Sequence, residues 1–137
     1  MRIMNAYCLF ISTVVIFLAV SACSEDAEFV FEGTVSIEAQ DSSLVIFNQT
    51  NVTIYFWAIE REQFAVFEPR DCYQPEDLND RAIDQQRFRN VPYGDIWNWK
   101  PGAEVVVVLL YLMEDPSTDC GYRNHGLFRQ SVFTPVE

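Results

Sequence analysis

The side chains with which this sequence could do chemistry are few: one histidine, four cysteines, three tryptophans and twenty acidic residues in 137. Nucleophilic catalysis needs a base beside the nucleophile. The single histidine, His125, lies in Cys120-Gly121-Tyr122-Arg123-Asn124-His125-Gly126, which reads as a surface loop. No serine stands in a Gly-x-Ser-x-Gly elbow, and a Cys120–His125 pair would require a free thiol. A carboxylate pair for glycoside hydrolysis should be marked by an apolar setting. Only Asp95, ahead of Ile96-Trp97, has one, and after Gly94 it is more simply a turn or capping residue. A calcium loop of the Asp-x-Asp-x-Asp-Gly type is absent. Glu114, Asp115 and Asp119 are scattered acids of a solvated surface. Cys72 and Cys120 are too few and too far apart for a zinc knuckle, and lack the Cys-x-x-Cys spacing of a redox pair. No catalytic residue, metal or cofactor is expected, and the chain reads as a non-enzyme.

The aromatic residues are the better binding candidates. Tyr93, Trp97 and Trp99 fall within seven residues, beside Gly94 and Pro101-Gly102. Flat rings on a turn can stack on sugars or anchor a protein partner. The competing assignment puts one tryptophan into the end of the core with the other lying over it. Tyr55 and Trp57, on a strand, read as core. Asn48-Gln49-Thr50 and Asn51-Val52-Thr53 match the glycosylation sequon, but Thr50 and Thr53 read as turn and strand residues.

Those residues need a scaffold, and the pattern is one of strands. Half of the residues are hydrophobic and 15% aromatic, the composition of a folded chain. From Phe29 the sequence alternates: Phe29, Phe31, Gly33, Val35, Ile37 and Ala39 against Val30, Glu32, Thr34, Ser36, Glu38 and Gln40, a half-buried strand. Asp41-Ser42-Ser43 is a turn, 44–47 a second strand, and 52–61 a third. The third strand is apolar on both faces and hence central, and the three are expected to form an antiparallel meander. Residues 62–67 suit a helical turn or a strand end, and 77–86 hold a helical turn. Arg87–Tyr93 is a strand that Pro92 places at an edge. Glu104–Met113 is a strand buried on both faces, 114–126 a loop, and Leu127–Phe133 the last strand. About six strands with little helix indicate an all-β domain, a small antiparallel β-sandwich of immunoglobulin-like topology, with a small barrel as the alternative.

The N-terminus carries a different signal. A short n-region with one Arg, an apolar run from Cys8 to Val20 and small residues before Cys23 form the signal-peptide pattern, helical in its apolar run. Val20-Ser21-Ala22-Cys23 resembles the lipobox of bacterial lipoproteins. The resemblance implies lipidation of Cys23 and cleavage after Ala22, giving a leader at 1–22, an acidic tether at 23–28 and a domain at 29–137. Two other readings remain: release by an ordinary signal peptidase, or a retained helix, since residues 3–23 are uncharged and long enough to span a bilayer. With lipid on Cys23, Cys72 and Cys120 are left as an even pair, whose disulfide would close a loop of about 50 residues and stabilise the fold by about 4 kcal/mol. Both lie in expected loops, so this bridge is a loop staple and not the inter-sheet bridge of antibody domains. The acids after Cys23 resemble the export signals of surface lipoproteins in the Bacteroides group. Ser24 departs from the Asp of inner-membrane retention in enterobacteria. Both point to the outer membrane of a bacterial envelope.

The formal charge is −11, and one unit more negative once the leader with Arg2 is gone. Such a surface repels phosphate backbones and excludes nucleic acid as partner. The expected function is that of an envelope lipoprotein, held at the membrane by its anchor, with a binding or structural role toward an envelope protein or glycan. The alternatives are an inhibitor of a cationic enzyme such as lysozyme, or a carbohydrate-binding module using Trp97 and Trp99. Cys120-Gly121-Tyr122 does not match the Ser-Gly-x-x-Tyr segment of the lysozyme-inhibitor lipoproteins.

Overall fold

The structure is a computed structural model that describes residues 31–136. The leader, Cys23, the tether and the first two residues of the expected first strand lie outside the described residues.

Two apolar runs set the architecture. The strands β3 (Ile54–Glu60) and β6 (Glu104–Glu114) pair antiparallel, with Phe56 opposite Leu109 and Ala58 opposite Val107. Successive side chains of a strand point to opposite faces, so two strands with unbroken apolar runs, 54–59 and 105–110, must have both faces covered. Ile54, Phe56, Val105, Val107 and Leu109 enter one core; Tyr55, Trp57, Ile59, Val106, Val108 and Leu110 enter a second. The first core is the space between two sheets. One sheet has the order β1 (Val35–Ala39), β2 (Ser43–Asn48), β5 (Arg87–Pro92); the other runs β4 (Ala82–Ile83), β3, β6, β7 (Tyr122–Phe133). All neighbouring strands are antiparallel. The first, second and fifth strands against the third, sixth and seventh is the partition that A, B, E and C, F, G make in an immunoglobulin-like sandwich. The sheets are separate, so the barrel alternative is not realised.

The second core has a different lid. The crossover from β3 to β4 lies over the outer face of the four-stranded sheet. It comprises the short helix α1 (Arg61–Phe64), the segment with Cys72 and Tyr73, and a 3-10 turn over Pro75–Arg81. Tyr73 and Leu78 are buried there against Tyr55 and Trp57, with Phe64 and Phe67 packed alongside. Each such fully buried apolar side chain contributes about 1.5–3 kcal/mol. The Cys72–Cys120 disulfide ties this layer to the β6–β7 turn, across a sequence separation of 48 and a Cα–Cα distance of 6.1 Å. It is the expected loop staple.

Four expectations are corrected. The meander stops after β2: β3 crosses to the other sheet and pairs with β6 and β4. The corner is built by Asn48, which is fully buried. Its Nδ2 donates to the carbonyls of Val52, Ile83 and Asp84 at 2.8, 2.9 and 3.1 Å, and its Oδ1 accepts from the Thr50 amide at 3.0 Å and the Thr50 hydroxyl at 2.7 Å. Those bonds satisfy the turning backbone, so the chain can leave one sheet for the other inside the core. The first sequon is therefore a buried corner. Second, regular β1 begins at Val35, because Gly33 adopts φ +101° and a Cβ there would overlap the Gln49 carbonyl. Third, the last strand begins at Tyr122 and not at Leu127. Gly126, at φ +64°, absorbs a register shift opposite Leu110, the left-handed glycine of a β-bulge. Residues 122–126 thus belong to β7, and His125 is a strand residue. Fourth, a seventh strand exists: β4 is two residues long and follows the 3-10 turn.

Candidate functional site

The connection from β5 to β6 carries the aromatic triad, and its local geometry separates the three rings. Tyr93 opens a 3-10 turn at Tyr93–Asp95 and is buried. Its hydroxyl donates to the carbonyl of Gln40 in the β1–β2 turn at 2.5 Å, pinning the crossover to the first hairpin. Burial, and then the charge of Asp41, raises the Tyr93 pKa, so the phenol remains a donor. Trp99 lies flat on Tyr93, centroids 4.7 Å apart with 11° between planes, and its indole N–H donates to the Thr134 hydroxyl at 3.1 Å. Between the tryptophans, Asn98 takes φ +58°, a conformation that Asn tolerates better than most residues. The reversal sends Trp97 outward: it is 62% exposed while forming a parallel bridge to Ile59 of β3. The triad is thus not one platform. Tyr93 and Trp99 close the end of the first core, and Trp97 stands alone at the surface.

Trp97 stands beside the outer edge of β3. β4 covers that edge only at Ile54 and Tyr55, and Trp97 covers it at Ile59. Two adjoining clefts lie along it. One, of about 370 Å³, has Trp57, Val66, Phe67, Glu68 and Trp97 among its walls; the other, of about 240 Å³, has Phe56, Asp80, Arg89 and Val91. Ala58, Arg81 and Asp95 line both. Arg81 lies over the Trp57 ring and Arg89 over the Phe56 ring, each 5.6 Å from the centroid. The side chains of Glu68, Asp80 and Asp95, which line these clefts, take part in none of the hydrogen bonds or ion pairs among the described residues.

The other candidates are dispersed. His125 stacks on Tyr111, centroids 5.7 Å apart, and the Cys120 sulfur is in the disulfide. Asp115 caps the β6–β7 turn. It accepts from the Ser117 amide at 3.0 Å and the Ser117 hydroxyl at 2.5 Å, and pairs with Arg123 at 2.6 Å. The Ser117 hydrogen bonds, followed by the Arg123 charge, hold its carboxyl below the usual range. Among the described residues no three His, Cys, Asp or Glu side chains are grouped to hold a metal ion.

No protein family, curated protein or solved structure matches this chain.

The trough beside β3 was not visible in the sequence. Its walls come from 56–59, 66–68, 80–81, 89–92, Asp95 and Trp97, and only the fold brings these together. The one available signal was the apolar run of β3; that a two-residue neighbour leaves part of its edge uncovered is set by the fold.

Proposed function

We propose that this chain is a non-enzymatic lipoprotein of the bacterial envelope, anchored through Cys23 to the outer membrane, whose β-sandwich binds an envelope partner. The observation that carries the reading is the Cys72–Cys120 disulfide. A structural disulfide of this kind belongs to an oxidising, extracytoplasmic compartment. It also uses both cysteines of the domain and leaves Cys23 as the one thiol after the leader, at the position that the lipobox resemblance assigns to lipid. The engagement of His125 with Tyr111, and of Cys120 in the disulfide, supports the reading as a non-enzyme. An anchored domain needs no membrane-binding face of its own, which leaves its surface for a partner.

A protein partner is favoured over a planar sugar. Stacking of a saccharide across two rings needs Trp97 and Trp99 side by side, whereas Trp99 is half-buried with one face stacked on Tyr93. The acidic surface makes that partner cationic, which keeps inhibition of a basic enzyme such as lysozyme within the proposal.

The test is Cys23→Ala in a bacterial host, followed by membrane fractionation and detergent phase partition. The wild-type chain partitions with membranes and the detergent phase, and the variant moves to the aqueous phase or stays unprocessed. A wild-type chain found wholly in the soluble fraction overturns the anchor.

A further inference from the structure

We propose that the trough along the outer edge of β3 docks an extended segment of a partner protein that carries Lys or Arg side chains. The inference rests on the binding role proposed above and names its surface and its partner chemistry.

Three independent features of the trough converge. The first is the open edge. β4 ends its cover at Tyr55 and Trp97 resumes it at Ile59, so on the side away from β6 the stretch from Phe56 to Ala58 borders the clefts without a strand partner among the described residues. A sheet edge of this kind accepts an added strand, with main-chain bonds giving affinity and alternate side chains giving specificity. The second is the apolar rim. Val66 is 73% exposed and Trp97 62%, and both line the larger cleft together with Trp57 and Phe67. Exposed apolar surface around a groove marks an interaction site.

The third is charge. Glu68 and Asp95 stand in the cleft with Trp97, and Asp80 stands in the adjoining one. The two cations of the trough, Arg81 and Arg89, lie over the rings of Trp57 and Phe56. An incoming ammonium or guanidinium group can lie on the Trp97 face with Asp95 beside it, combining a cation–π contact with an ion pair. The net charge of −11 disfavours the other occupants: it repels a second copy of the chain and any acidic segment.

The experiment uses the mature lipidated protein in non-ionic detergent. A fluorescently labelled hexapeptide of alternating Lys and Val is titrated by anisotropy beside its Glu-Val counterpart, with chitohexaose as competitor. The Lys-Val peptide is expected to bind saturably and to weaken about tenfold as salt rises from about 0.05 to about 0.5 M. Trp97→Ala weakens it about tenfold. Asp95→Asn, at an exposed position with no described side-chain hydrogen bond, weakens it about threefold and leaves the melting temperature unchanged. Amide exchange with peptide bound should slow at 56–59 and 95–98. Equal binding of the Glu-Val peptide, undiminished binding by both variants, displacement by chitohexaose, or protection elsewhere on the domain each overturns the proposal, as does failure of the Lys-Val peptide to bind. A protein that partitions by its lipid yet ignores the peptide loses this inference and keeps the envelope reading. Binding by a protein without lipid does the reverse.

Discussion

Replacing Cys72 and Cys120 together by serine removes the one covalent tie in the described domain. Its cost follows from chain entropy. With 48 residues of separation, opening the loop frees the unfolded chain by about 4 kcal/mol. A domain of this size has about 5–15 kcal/mol in all, so a large share of the stability is at stake. The structure also says where the loss concentrates. The staple does not join the two sheets; it holds the 61–81 layer onto the outer face of the four-stranded sheet, over Tyr55, Trp57, Val106, Val108 and Leu110. Urea unfolding with linear extrapolation, comparing the oxidised protein with the double-serine variant, should show a drop of about 4 kcal/mol. Amide exchange should show the layer around Tyr73 and Leu78 opening before β2 and β5 do. A loss below about 1 kcal/mol, or a layer whose amides exchange no faster than those of β2, would refute both the entropy argument and the role of the crossover as a lid.

Other consequences are equally direct. Asn48→Ala removes five hydrogen bonds from a fully buried corner and leaves backbone carbonyls without a donor, so denaturant midpoints should report a loss of about 3 kcal/mol; a loss below about 1 kcal/mol contradicts the corner. Gly126→Ala puts a Cβ at φ +64° and 2.6 Å from the Tyr111 ring, and should cost about 1–3 kcal/mol with altered chemical shifts at Tyr111 and His125. Ser117→Ala removes the main cause of the low Asp115 pKa, and a carboxyl-detected NMR titration should show it rising toward the usual value. A carboxylate with a depressed folded pKa contributes stability above its unfolded value, and loses it as pH falls through the folded one. The wild type should therefore exceed Ser117→Ala at neutral pH, with the difference closing in acid.

How much of this was legible in the sequence depended on whether the signal was local. β3 and β6 were readable because alternation and uninterrupted apolar runs are local, and their double burial follows directly from being apolar on both faces. The second sheet is not what buries their outer faces. A stapled crossover does so, and its polar, proline-punctuated sequence gave little sign of packing. The departure of β3 from β2 was hidden because a buried Asn that bonds backbone carbonyls is spelled like any turn Asn. Gly126 does carry a signal, an isolated glycine next to a strand, but a glycine that ends a loop and one that forms a bulge within a strand are spelled alike, and the five residues 122–126 of β7 are hidden by that ambiguity. Of the triad, the residue types indicated aromatic function. The turn at Asn98, a conformational detail, decides that Trp97 alone faces solvent.

The central claim, an exported domain held to a membrane by lipid on Cys23, is tested most directly by an intact-mass measurement of the mature protein from a bacterial host, with N-terminal peptide mapping. The account predicts that the chain begins at Cys23, carries a diacylglycerol-type addition on that residue, and has Cys72 and Cys120 oxidised to each other. A retained leader, an unmodified Cys23, or a mature N-terminus beyond it would contradict the account.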